Sequence, residues 1–208
     1  MKVTLEKAIK HMKTINHHKM LVMEICFKLG LYKQGLLHDL SKYTPIEFLV
    51  GAKYYQGDRS PNFAEKEERG YTAAWLHHKG RNLHHMEYWI DYSLEEEDHR
   101  MAGMKMPTKY VVEMFADRVA ACKNYQGDAY TKRSGLIYYE RGKGHYLLHR
   151  DTALLLEFML RMLALYDEKK TFWFIRRYIL KNDAFCRSRG IRSRGEYDGY
   201  EVLKKYHP

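Results

Sequence analysis

His38 and Asp39 stand side by side in the segment Leu36-Leu37-His38-Asp39-Leu40-Ser41-Lys42. Imidazole and carboxylate are both metal ligands, and where a helix ends or bends two neighbours can face one ion. Buried ionisable groups are costly unless they are paired or coordinating. An apolar lead-in to a His-Asp pair therefore points to coordination. Taken alone, the pair reads more readily as a helix end, with Asp39 capping and His38 packed. The other histidines shift that balance: the chain has twelve, and eight of them lie between His11 and His85.

Positioning these residues falls to helices. Residues 4–29 read as one, with Thr4 as N-cap and Gly30 as its stop. His11, Ile15, His18, Val22, Ile25 and Leu29 recur at spacings of four and three and form one stripe at about 100° per residue. Two histidines thus share the face that should enter the core, whereas His17 lies off it. A short helix over 32–39 should end at the His-Asp pair. Thr44-Pro45 should open a third helix running to about Tyr55, with Glu47 in capping-box position.

Residues 63–79 predict a further helix, solvated over Glu65-Lys66-Glu67-Glu68-Arg69 and ending in His77-His78. Gly80 should break it, and Arg81-Asn82 should begin another that carries His84-His85. At least one member of each His-His pair can point inward. Residues 91–106 read as a charged connection with an acidic run, Glu95-Glu96-Glu97-Asp98. A helix from Pro107-Thr108 to about Tyr125 places Asp117 with Tyr110, Met114 and Ala121, on a half-buried flank. An Asp there wants a cation or strong donors, and a salt bridge to Arg118 is the plain alternative.

After 126 come Gly- and Tyr-rich loops to 148, a strong helix over 149–168 and an aromatic-basic helix over 171–184. A basic tail, Cys186 to Arg194, follows. No strand alternation, dinucleotide glycine motif or phosphate loop is present. The expected fold is all-α: a helical core over 1–125 and a C-terminal helical extension over 126–208 packed on the same domain.

Composition bounds the rest. The chain has 208 residues with 45% apolar content, which excludes disorder as the default state. Its 36 basic and 26 acidic side chains give a formal charge of +10, which suits an anionic partner: a phosphorylated metabolite, nucleic acid or an acidic surface. Three scattered cysteines imply neither a disulfide framework nor a Cys-rich zinc site. Residues 1–7 lack a secretory apolar core and no run reaches transmembrane length, so a reducing cytoplasm is the expected compartment.

The inward candidates are His18, His38, Asp39, one or more of His77, His78, His84 and His85, and Asp117. Imidazoles and carboxylates suit zinc, manganese, iron or nickel. One ion needs three or four of them, so the surplus could hold a second ion or meet a substrate phosphate. Two metals about 4 Å apart would clamp a phosphate and activate water. Lys42, Arg81 or Arg118 could offset charge on a phosphoryl oxygen.

At these residues the chain resembles the HD-domain superfamily of metal-dependent phosphohydrolases, over about residues 5–125. That superfamily orders its ligands as His, His-Asp and Asp on an all-helical core. Its first His stands four before a Val, as His18 does before Val22. Its central motif is matched by Leu36 to Lys42, and its last Asp by Ala116-Asp117-Arg118. The segments His38-Asp39-Leu40-Ser41-Lys42, Tyr54-Tyr55-Gln56-Gly57 and Trp75-Leu76-His77-His78-Lys79-Gly80-Arg81-Asn82 look like an uncharacterised bacterial family within it. The extra histidines resemble members that hold two metals. The resemblance implies metal ligation by His18, His38, Asp39, His78, His85 and Asp117, with His77 and His84 as second choices. It further implies phosphate positioning by Lys42 and Arg81, and hydrolysis of a small phosphorylated or nucleotide substrate. Two other outcomes are open: a di-iron oxygenase on the same scaffold, and a non-catalytic protein that binds nucleic acid or another anion.

Overall fold

The Thr4 hydroxyl accepts a hydrogen bond from the Lys7 amide and starts helix α1 (Leu5–Leu29), and Gly30 ends it in the left-handed conformation. All six residues of the predicted stripe are buried. The computed structural model describes residues 2–93, 100–180, 200 and 203. Among them the architecture is an all-α helical bundle with one pair of short strands.

Helix α2 (Tyr32–Leu37) is a single surface turn and a half that lies on α1 through Gly35, where a Cβ would crowd Cys26 and Phe27. Leu36 and Leu37 are exposed, 55% and 52%, whereas His38 and Asp39 are 1% and 2% exposed. The apolar pair therefore does not carry the dipeptide inward. The backbone does: His38 turns out of the helix at ψ 127°, and Asp39 adopts φ 54°, the described non-glycine residue with positive φ. A 3₁₀ turn (Leu40–Tyr43) leads to α3 (Pro45–Lys53), with Pro at its first position.

The helix expected over 63–79 is two, α4 (Pro61–Arg69) and α5 (Ala73–Lys79). Gly70 at φ 77° stops the first, and the Thr72 hydroxyl caps the second by accepting from the Trp75 amide. Glu65 is not solvated but fully buried, paired with Arg69 at 3.3 Å. No helix begins at Arg81. A tight turn carries His84 and His85 into a 3₁₀ segment (Met86–Trp89). The charged connection forms an antiparallel pair, β1 (Ile90–Tyr92) and β2 (Met101–Gly103), with Ile90 opposite Gly103. The acidic run Glu95–Asp98 lies outside the described residues.

Helix α6 (Thr108–Gln126) crosses α1 and supplies the centre of the core: Val111, Val112, Phe115 and Val119 are wholly buried. Residues expected as loops hold α7 (Ser134–Gly142). Helix α8 (Arg150–Leu165) lays Leu155, Leu156, Met159 and Leu163 on α6. Helix α9 (Glu168–Phe174) runs into a π-helical turn (Ile175–Leu180). Residues 181–184 of the predicted last helix and the basic tail lie outside the described residues. Each such apolar side chain contributes about 1.5–3 kcal/mol when fully buried. One continuous cluster joins α1 and α6 to α8 and the π turn, so the long helices are fixed on both sides. No described helix is long and apolar enough to cross a membrane.

Candidate metal centre

Helices α1 and α6 aim His18 and Asp117 at each other, with His18 Nε2 3.0 Å from Asp117 Oδ1. The bend after α2 brings His38 Nε2 to 3.5 Å from the same oxygen and 3.3 Å from Asp39 Oδ2. The end of α5 and the following turn complete the cluster: His78 Nε2 and His84 Nε2 lie 3.2 and 3.4 Å from Asp39 Oδ1. His85 packs against both, its ring tilted 4.1 Å from that of His84 and edge-on 4.8 Å from that of His78.

Two four-residue groups result, His18, His38, Asp39, Asp117 and Asp39, His78, His84, His85. Within each, one ligand atom per residue lies within 4.8 Å of all the others, and Asp39 belongs to both. The Nε2 atoms of His18, His38, His78, His84 and His85 and both Asp39 oxygens are buried with no hydrogen-bond partner. Their polar neighbours are ion-pair partners: Asp117 for His18 and His38, Asp39 for His38, His78 and His84, and Lys42 for Asp39 Oδ2. Buried polar atoms are ordinarily satisfied, so convergent orphans of this chemistry fit a cation.

The far sides of His38, His78 and His84 are satisfied. Glu113 lies behind the centre, 3.1 Å from His38 Nδ1 and 3.3 Å from His84 Nδ1. Glu47 spans His77 Nδ1 at 2.6 Å and His78 Nδ1 at 2.8 Å. Carboxylates in these positions accept a hydrogen bond from Nδ1–H, which keeps the proton there and leaves Nε2 free for an ion. Glu47 is thus not the capping-box residue its spacing suggested. Ser41 Oγ and Asn82 Nδ2 also reach His78 Nδ1, at 3.1 and 3.2 Å. Lys19 Nζ donates to the carbonyls of Leu36 and His38, both at 2.9 Å, and so holds the bend.

The charges inside the cluster shift one another. Burial opposes ionisation of Asp39, but His38, Lys42 and His78 outweigh it and hold the carboxyl well below its usual range. Burial likewise opposes the charge on His38, and Asp39, Asp117 and Glu113 reverse that and raise it. Burial, then His84 and His78, push His85 well down. Lys42 Nζ lies 2.5 Å from Asp39 Oδ2.

The cluster opens into a cavity of about 460 Å³ lined by Lys42, Tyr55, Trp75, Asp117, Arg118 and Tyr125, among others. His11 enters it too, at 7% exposure, and only a glycine at Gly51 leaves room, since a Cβ would strike the imidazole. Burial lowers the His11 pKa to about 4, so its ring is neutral.

The fold therefore brings together His18, His38, Asp39, His78, His85, Asp117 and Lys42. It adds His84, which the sequence ranked second. His77 points to Glu47 instead, and His17 is exposed against Asn124. Arg81 is exposed, donates to the His77 carbonyl and is not among the cavity residues. Asp117 makes no ion pair with Arg118 and pairs with histidines. Sequence reasoning missed Glu113, although an acidic residue one turn before Asp117, amid Val111, Val112 and Met114, was a signal for it.

No curated protein and no solved structure matches the chain. A family model does match, over residues 7–162, which includes every candidate ligand and both carboxylates behind them, and the chain belongs to that family of unknown function (DUF5662).

Proposed function

We propose that the protein is a metal-dependent phosphohydrolase of the HD type, acting on a small phosphorylated or nucleotide substrate. The observation that carries this reading is the pair of ligand groups sharing Asp39. His18, His38 and Asp117 would complete one site, and His78, His84 and His85 the other. Nitrogen and oxygen donors of this kind suit manganese, iron, zinc or nickel. When bound, such cations supply Lewis acidity to a phosphoryl oxygen and acidify water.

The chain's own residues do the rest. Glu113 and Glu47 orient the imidazoles from behind. Lys42 restrains Asp39 and offers the cavity a cation that a phosphoryl oxygen can meet. Trp75, Tyr55 and Tyr125 give the organic part of a substrate aromatic surface and exclude water. Arg81, which is exposed away from the cavity, has no part in this mechanism.

The test is Asp39→Asn. Asn tolerates the left-handed backbone at this position, where Ala is strained. Elemental analysis should find metal in the wild type and loss from both groups in the variant, with the helical circular dichroism retained. Turnover of phosphomonoesters, phosphodiesters and nucleotides should vanish with the metal. Full turnover in the variant would refute the assignment. Resident iron with dioxygen-dependent turnover would replace hydrolysis by oxygenation on the same ligands. Nucleic-acid binding that falls steeply with salt and ignores chelator would favour a non-catalytic role.

A further inference from the structure

Among the described residues, three cationic side chains line the cavity: Lys42, Arg59 and Arg118. Lys42 is paired with Asp39, and Arg59 forks onto Glu67 at 3.0 and 2.9 Å. Arg118 alone of the three makes no ion pair with a carboxylate among the described residues, and its Nε is buried with no hydrogen-bond partner. Its guanidinium instead lies 5.3 Å from the Tyr146 ring, 5.8 Å from Tyr138 and 5.9 Å from Tyr139. Tyrosine faces stabilise a guanidinium through cation–π attraction without using its N–H donors. The cage is built into the fold, because Tyr146 packs over Gly142, where a Cβ would collide with its ring. An oriented guanidinium with a buried, unpartnered Nε and no carboxylate on its fork can take a carboxylate or phosphate.

We infer that Arg118 anchors a second anionic group of the substrate. The preferred substrate then carries two acidic groups: one phosphate at the metal centre and a phosphate or carboxylate on Arg118. This inference rests on the phosphohydrolase reading for the first of those contacts. A substrate with a single phosphate would leave the Arg118 donors unmatched in a mostly aromatic wall.

Calorimetric titration of manganese-loaded protein tests it with non-hydrolysable probes: an alkyl phosphonate, ω-carboxyalkyl phosphonates and α,ω-bisphosphonates of increasing chain length. In the wild type, the best di-acid should bind about 10- to 100-fold more tightly than the alkyl phosphonate, the worth of a hydrogen bond to a charged group. Whether the carboxylate or the bisphosphonate series wins identifies the second anion. Arg118→Met should erase the di-acid advantage and leave the alkyl phosphonate unchanged. Arg118→Lys, which keeps charge but loses the fork, should retain part of it. Equal affinity for mono- and di-acids in the wild type would overturn the inference, as would an Arg118→Met loss shared equally by both. Alkyl phosphonate binding without a di-acid advantage defeats the anchor alone. Absence of any phosphonate binding defeats the phosphohydrolase reading with it.

Discussion

His18 and Asp117 project from the interiors of helices of 25 and 19 residues, whereas His78 lies in a seven-residue helix and His84 and His85 follow it in a turn. Both halves of the ligand set meet at Asp39, but they are held there by different means. Apolar packing positions the first half: Val22 and Ile25 of α1 and Phe115 and Val119 of α6 lie in the core. Side-chain hydrogen bonds position the second: Glu47 accepts from His78 Nδ1, Ser41 Oγ lies 3.1 Å from the same atom, and Asn82 donates to the His78 carbonyl. A long packed helix cannot shift one side chain without disturbing its core face. A turn held by polar contacts can be loosened one bond at a time. The first half is therefore the rigid reference, and the second is the one that individual polar substitutions should perturb.

The largest test of this division removes one ligand from each half. Asp117→Asn should empty the first group and His84→Gln the second, so total bound metal should fall by about half in each variant. Complete loss in either, measured by elemental analysis, would show that the groups are one interdependent site. The carboxylates behind the ligands offer a smaller effect, of about 10- to 100-fold in metal affinity. Glu113→Gln should weaken both groups, because it touches His38 and His84. Glu47→Gln should weaken only the second, through His78. Chelator titration distinguishes the two profiles, and identical profiles would erase the distinction between halves. Smallest are the backbone ties. Lys19→Met removes two bonds that hold the bend after α2, and Asn82→Ala removes those to Ser41 and the His78 carbonyl. Each should cost about 1 kcal/mol in urea unfolding of the metal-free protein. Of the two, Asn82→Ala should also loosen the second metal group.

The same contrast explains what could be read in advance. The buried stripe of α1, the start and end of α6 and the Leu-Met face of α8 are written in residues three and four apart. That local periodicity singled out His18 over His17 and gave Asp117 a half-buried flank. The second half carries no such pattern. The helix expected over 63–79 is broken at Gly70, the helix expected from Arg81 is a turn, and the expected charged connection pairs as two short strands. Glu47 shows the limit well. Its spacing from Thr44 fits a cap, yet its carboxylate lies between two histidines thirty and thirty-one residues away. Leu36 and Leu37 mislead in the same way, since burial of His38 and Asp39 comes from a backbone turn and not from apolar neighbours.

By itself the amino-acid order determined that the chain is helical, where its longest helices run, and that imidazoles and carboxylates are too many and too apolar in setting to be surface. Those are consequences of local spacing and composition. Only the tertiary structure decided that Asp39 is shared by two candidate ligand groups, that His84 joins them and His77 turns away, and that Arg118 rather than Arg81 lines the cavity. Such choices turn on distances of a few ångströms between segments far apart along the chain, where one backbone turn at Asp39 outweighs every local preference.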